Sequence, residues 1–486
     1  MINLILSIVL HKNKLAIGRN NELLFRFKHD MEFFKDTTMG NIILMGYNTY
    51  LSLPRKPLTG RFNFVLTRKT ELYNVPENND FNQETTYFMS YELFFEIYYR
   101  WTTGEQKPVV FVIGGAQIYD LFAYKATNIY ITDIRKADGK EVRFETGNEP
   151  DTFFEFPSKY KLKTVSEIHL SDNGLYSYRF LKYQADGRSQ EYQYFDLMKN
   201  ILESGNSRDD RTNVGTISLF GSQMRFDISE TIPLMTAKQV PFRIILEELL
   251  WFCRGDTDAK ILREKGVHIW DGNTSREFLD KQGLNYGDGV LGAGYGFQWR
   301  HFGAEYKQEY ADSSKVEDRS IIGGFDQLQH IEHLLKTDPF SRRIVLSAWN
   351  PTAFHQTALP PCHILLQFYV EEIEGQKYLS SHFYMRSSDV FLASVFNVVS
   401  YSILTYILAL KCEMKPKEII YSSGDTHLYK SHLTQVQELL SRRPRPFPKL
   451  ILNPSLKTKD WTEMVEEDFQ LVGYYPRSAI KAEMAV

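Results

Sequence analysis

Val109-Val110-Phe111-Val112-Ile113-Gly114-Gly115-Ala116-Gln117-Ile118-Tyr119 reads as a buried strand, a two-glycine turn and the opening of a helix. An unbroken apolar run ahead of a glycine pair suits a strand covered on both faces. Glycines at a strand-to-helix turn let backbone approach a ligand closely, and a helix N-terminus favours phosphate. The pair also suits a plain tight turn, and it is not the GxGxxG dinucleotide fingerprint. Outward from this stretch, Ile2 to Leu10, Ile42 to Met45, Phe62 to Leu66 and Ile129 to Ile134 have the same buried-strand character. Lys28 to Thr37, Ser90 to Trp101 and Gln117 to Tyr124 have helical spacing. Strands separated by helices predict an α/β fold with a mostly parallel central sheet.

Tyr176 to Tyr183 reads as the last strand of this part, residues 184–190 as a short linker, and Tyr192 to Leu202 as a helix. The expected domains are therefore 1–183 and 191–486. The second mixes long helices (Arg243 to Arg254, Gln327 to Lys336, Asn397 to Cys412) with strands at Arg343 to Trp349 and His363 to Val370, an α+β pattern.

At 486 residues, with 43% hydrophobic and 24% charged residues, the chain is long enough for several globular cores. A net charge of -3 argues against a general nucleic-acid binder or a polybasic membrane binder. The apolar Met1 to Leu10 lacks a basic leader and a small-residue cleavage site, so it reads as a strand rather than a signal peptide. The apolar stretch Phe396 to Leu410 is too short for a bilayer of about 30 Å, so no membrane partner is expected. The three cysteines, Cys253, Cys362 and Cys412, cannot build a disulfide framework or a four-thiolate zinc site. They suit a reducing compartment, and a cytoplasmic location with no bound metal is expected.

Asp30 shares a helical face with Phe33 and Phe34. It is either an exposed first-turn acid or a buried carboxylate that pairs with a cationic or amidine-like heterocycle. Ile17-Gly18, Asp30 with Phe33-Phe34-Lys35, Met45-Gly46 with Thr49, Pro57 to Arg61, Leu66-Thr67-Arg68 and Ile113 to Tyr119 occur in order. Together they resemble dihydrofolate reductase across nearly all of residues 1–183. The resemblance implies that Asp30, supported by Thr132, binds the pterin and promotes protonation at N5. It implies that Phe34 and Arg61 bind folate, with Arg61 on the glutamate α-carboxylate. NADPH would be held by Ile17, Gly18, Gly46, Thr49, Thr67, Arg68, Gly114, Gly115, Ala116, Gln117, Ile118 and Tyr119. The chain departs from the family at Leu24-Phe25, where Pro-Trp is usual, at Tyr47, where a basic residue is common, and at Ser7, where alanine is common.

In the second part, Pro360-Pro361-Cys362-His363 fixes the approach to one thiol. A nucleophilic cysteine needs nearby positive charge, and arginines occur at Arg211, Arg342, Arg343 and Arg386. Cys253 and Cys412 lie in helical runs and read as packing residues. Asp210-Arg211-Thr212, Glu248 to Phe252, Tyr295 to Arg300, Ser341-Arg342-Arg343, Pro361-Cys362-His363, Arg386-Ser387, Asn397 and Gly424 to Tyr429 occur in order. This set resembles thymidylate synthase from about residue 190 to Val486, and the two halves together resemble the fused enzymes of protists and plants. The resemblance implies that thiolate Cys362 attacks C6 of dUMP and that 5,10-methylenetetrahydrofolate supplies the carbon. Glu248, Tyr295 and His427 would organise proton transfers. Arg211, Arg386 and Ser387 would bind dUMP phosphate, with Arg342 and Arg343 reaching over from the other subunit of a homodimer. Asp389, Asn397, His427 and Tyr429 would complete the substrate set. Asn397, read by itself, is also a helix-cap residue. The departures here are Met385, Ser394-Val395 and Ser423. An active synthase with a degenerate, scaffold-like reductase half is the alternative. A regulatory RNA-binding role has no support from net charge.

Overall fold

The computed structural model of the chain describes residues 1–76, 80–102, 109–209 and 214–483. Arg211 and the closing Met484-Ala485-Val486 lie outside the described residues. Two compact units result: 1–189 together with Arg443–Pro446 and Tyr475–Ser478, and the remainder from Gln190 onward.

In the first unit the strands Asn128–Lys136, Ile2–His11, Val110–Gly114, Ile42–Gly46, Phe62–Leu66 and Thr86–Met89 lie side by side in that order. All neighbours along this run are parallel. Tyr176–Ala185 closes one side, antiparallel to Asn128–Lys136. The run needs cover on both faces because its strands are apolar throughout: Leu4, Ile43, Leu44, Val65, Val110 and Val112 are all buried. Helices Lys28–Thr38, Tyr91–Thr102 and Ala116–Ala123 connect the strands. Hence the unit is α/β, with the sheet ends and helix starts gathered around one cavity.

The second unit has a mixed sheet in the order Asn206–Arg208, Thr216–Asp227, Lys415–Tyr429, Gln376–Asp389, His363–Ile373 and Val345–Ser347. Gln376–Asp389 and Lys415–Tyr429 run parallel, and the other neighbours are antiparallel. One face is covered by helices Phe242–Arg254 and Ala393–Lys411, which bury Leu249, Trp251, Val398, Leu404 and Leu408. Ala393–Lys411 is apolar and long enough to cross a membrane by composition, yet most of it is packed inside this unit, as a core helix is.

That helix starts before Asn397, the start its polar residue suggested. The amides ahead of it are satisfied by Asp389, whose Oδ1 accepts from the N–H groups of Phe391 at 2.9 Å and Leu392 at 3.3 Å. Asn397 therefore sits inside the helix rather than at its cap, its Nδ2 donating to Ala393 O at 3.1 Å. Phe242–Arg254 ends where expected because Gly255 takes φ 83° and donates its N–H to Phe252 O.

Candidate active sites

The cavity of the first unit has a volume of about 1270 Å³, and Asp30, Phe34, Arg61, Thr49, Arg68 and Gly115 are among the residues that line it. Asp30 is 3% exposed, which excludes the exposed first-turn reading. Thr132 Oγ1 donates to its Oδ1 at 2.6 Å and Ser7 Oγ to its Oδ2 at 3.0 Å. Burial raises its pKa, and the two hydroxyl bonds oppose that rise. Arg61 is buried beside Phe34, its guanidinium 5.8 Å from the ring centroid and bonded to Thr59 O at 3.2 Å and Thr38 Oγ1 at 3.3 Å. Burial lowers the pKa of this cation, and a carboxylate ligand would relieve that cost by pairing with it.

Gly46, Thr49, Thr67, Arg68 and residues 114–118 also line the cavity. A Cβ on Gly46 would come within 2.9 Å of Ile118 Cγ1, and one on Gly115 within 3.3 Å of Thr49 Oγ1. The helix Ala116–Ala123 begins at Gly115 with no side-chain cap and no acidic residue in its first turn. These features fit a phosphate-bearing dinucleotide. Arg68 is exposed, and Lys69 Nζ sits 4.7 Å from the centroid of Tyr47, the residue that stands where a basic side chain is common. Ile17, Gly18, Ala116, Gln117 and Ile118 also line the cavity. Tyr119 is buried with its hydroxyl donating to Ile5 O at 2.8 Å, so it braces the wall. Phe25 turns into an aromatic cluster, with its ring 4.6 Å from Tyr176 and 5.7 Å from Phe27.

In the second unit Cys362 enters strand His363–Ile373 directly from the Pro360-Pro361 loop. Arg386 lies on the neighbouring strand, and its N–H donates to Cys362 O at 2.8 Å. Its guanidinium bonds Pro361 O at 2.8 Å and Pro360 O at 3.0 Å, and Nη2 lies 3.7 Å from Cys362 Sγ. A fixed positive charge at that range stabilises an anionic sulfur. The other two thiols lack this setting: burial pushes Cys253 and Cys412 each up to about 12.

The Cys362 amide donates to Tyr295 Oη at 2.7 Å, and the Tyr295 ring stacks on His363 at 4.1 Å. Glu248, on helix Phe242–Arg254, accepts from Trp270 Nε1 at 2.8 Å, and burial raises its carboxyl to about 7. A carboxyl at that value can both give and take a proton near neutrality. Asp389 and His427 are register neighbours on parallel strands, as are Ser387 and Asp425. His427 Nδ1 is 2.9 Å from Asp425 Oδ1, and the rings of His427 and Tyr429 meet edge-on at 5.2 Å. Gly424 is required here, because a Cβ would come within 3.0 Å of Arg386 O. Arg342 and Arg343 are exposed, with no ion pair or hydrogen bond from either side chain among the described residues.

Several residues beside these sites carried no sequence signal. Lys238 is buried, its Nζ donating to Phe391 O at 2.5 Å, and burial lowers it to about 8. Tyr401 pairs with His363 Nδ1. A single lysine or tyrosine inside an apolar run looks like packing until the fold closes around it.

A glycine-lined cavity that fits a dinucleotide and also holds a buried carboxylate suits a hydride-transfer reductase, and a thiol beside an arginine, in a unit that also buries a neutral-range carboxyl, suits a covalent transferase. Family comparison makes both particular. Residues 3–185 match the dihydrofolate reductase family and residues 192–486 the thymidylate synthase family. Proteins named bifunctional dihydrofolate reductase-thymidylate synthase align along almost the whole chain. The one from Zea mays is 38% identical over 97% of this chain and 95% of its own length. The one from Paramecium tetraurelia is 40% identical over 97% and 96%, and that from Leishmania amazonensis 35% over 97% and 93%. The chain belongs to the bifunctional dihydrofolate reductase–thymidylate synthase family. It joins methylation of dUMP by 5,10-methylenetetrahydrofolate to NADPH-dependent reduction of the dihydrofolate produced. A degenerate reductase half is not favoured, since the departures at Leu24, Phe25 and Tyr47 leave the carboxylate, the buried arginine and the glycine-lined cavity wall in place.

Proposed function

We propose that Cys362, Glu248, Tyr295 and His427 carry the synthase chemistry and that Asp30 carries the reductase proton chemistry. The observation that carries the first assignment is the guanidinium of Arg386 beside the Cys362 sulfur. The thiolate adds to C6 of dUMP, and the electron pair moves to C5 as an enolate. The enolate then attacks the one-carbon unit. Loss of the C5 proton, expulsion of tetrahydrofolate and hydride transfer from it give the methyl group and dihydrofolate, and Cys362 leaves C6. Glu248 organises the proton steps through water, at a pKa suited to the task. In the reductase half, NADPH supplies the hydride. Asp30 holds the pterin and favours a proton at N5, while Arg61 and Phe34 hold the rest of the folate.

Asn397 is the residue we assign to base selection, because an amide offers one donor and one acceptor to uracil N3–H and O4. Asn397→Asp is the test: dUMP methylation should fall at least about 10-fold while dCMP binding improves, since a mispaired buried group costs about 1–3 kcal/mol. Equal dUMP turnover in the variant would remove Asn397 from this role.

We further propose a homodimer built through the second unit. Its support is the outward sheet face, where Phe220 is 87% and Tyr369 67% exposed, with Leu365 and Tyr384 paired beside them. An apolar sheet face of this kind marks an interface, and a two-fold contact would set the unpaired Arg342 and Arg343 toward the other subunit. Mixing inactive Arg342→Ala chains with inactive Cys362→Ser chains should then restore part of the synthase activity. Well-folded mixed dimers without any recovery would exclude shared sites.

A further inference from the structure

Asp30 is gripped by two hydroxyls that come from adjacent strands. Ser7 and Thr132 are direct register partners in the parallel pairing of Ile2–His11 with Asn128–Lys136. One sheet register therefore places both hydroxyls on the same face, under helix Lys28–Thr38. Thr132 holds Oδ1 at 2.6 Å and Ser7 holds Oδ2 at 3.0 Å. Ser7 also lines the cavity.

We propose that Ser7 is a positioning residue of the reductase site, fixing the plane of the Asp30 carboxylate through Oδ2 as Thr132 fixes it through Oδ1. This rests on the reading of Asp30 as the residue that handles the proton. A carboxylate held at one oxygen can swing about its Cβ–Cγ bond, and one held at both presents a fixed edge to a heterocycle. A hydroxyl that donates to the charged form also favours that form. Ser7 and Thr132 thus oppose the burial that raises Asp30. Among the described residues, the other charged or titratable groups acting on this carboxylate are His29 of its own helix and Tyr178 of strand Tyr176–Ala185, which act through space.

Removing the Ser7 hydroxyl takes away one influence that favours the charged carboxylate, so Asp30 keeps its proton to higher pH. The rate of dihydrofolate reduction, which falls as the proton is lost, should hold to higher pH as well. The test uses the full chain as parent, Ser7→Ala and Ser7→Thr, each also in a His29→Gln background to remove the neighbouring imidazole. Two readouts are followed against pH: kcat/KM for dihydrofolate, and affinity for 2,4-diaminopyrimidine by calorimetry without cofactor. Ser7→Ala should move both midpoints upward by about one pH unit, the scale of one hydrogen bond to a charged group. Ser7→Thr should restore them, and synthase activity of the same chains reports that folding is intact. Thr132→Val, which removes the other hydroxyl, should shift the midpoints in the same direction. Superimposable profiles for the parent and Ser7→Ala, or a shift that threonine does not reverse, would overturn the proposal. The underlying reading of Asp30 fails separately, if Asp30→Asn keeps full reductase activity.

Discussion

Cys362→Ser should lower dTMP formation by at least about 10⁴-fold, the scale on which losing a covalent nucleophile acts. Dihydrofolate-dependent NADPH oxidation by the same chains should stay at the parent rate. A serine hydroxyl is far less acidic than a thiol, so the Arg386 guanidinium that stabilises a sulfur anion cannot hold an alkoxide to a useful extent. The substitution changes one atom, and the Cys362 backbone bonds to Tyr295 and Arg386 remain available. Loss of activity therefore reports chemistry rather than folding. Two assays separate the outcomes: the dUMP-dependent absorbance change with methylenetetrahydrofolate, and NADPH oxidation with dihydrofolate. Substantial dTMP formation by the serine variant would remove Cys362 from the nucleophile's role. The matching substitutions Cys253→Ser and Cys412→Ser should leave synthase turnover within about a factor of three, because those thiols, one buried and one half-buried, are packing groups with raised pKa values.

What the sequence makes legible follows from distance along the chain. Val110–Gly114 and the glycine turn are visible because an apolar run and its stop signal are contiguous. Cys362 is visible because two prolines and an apolar strand flank it. Which of the four candidate arginines serves it is not, because Arg386 is 24 residues away and meets it only through the antiparallel pairing that sets His363 opposite Met385. The start of helix Ala393–Lys411 is hidden for a similar reason. Asn397 has the composition of a cap, while the group that serves the amides is Asp389, at the end of the preceding strand. Ser7 could be noticed as a departure from alanine, but its bond to Asp30 depends on a register joining residues 7 and 132. Periodicity finds elements, whereas sheet register decides which side chains share a site.

Asp30→Asn should cut dihydrofolate reduction by about 10²–10⁴-fold, the usual contribution of one positioned acid–base group, and leave the synthase rate unchanged. An amide is nearly the same shape as a carboxylate, so one of the two hydroxyls of Thr132 and Ser7 can still donate to its oxygen while the other accepts from its NH2, yet it cannot favour a proton on the bound ring. NADPH affinity should be kept, because the hydrogen bonds of Asp30 run to Thr132 and Ser7 and not to Gly46, Thr49 or Gly115. The same variant should show an opposite effect on stability. Burial raises Asp30 above its unfolded value, so the folded chain binds more protons than the unfolded chain between those two values. The stability linked to Asp30 is thus fully present below the ordinary aspartate range and is lost as pH rises through the raised value. An asparagine has no such loss. Thermal denaturation of parent and variant should diverge in favour of the variant as the pH is raised from acid to neutral. A constant gap would mean that Asp30 is not carrying a burial penalty. A variant whose stability increasingly exceeds the parent's as pH rises, while reduction is lost, would show that the site keeps a costly buried carboxyl for the sake of its chemistry.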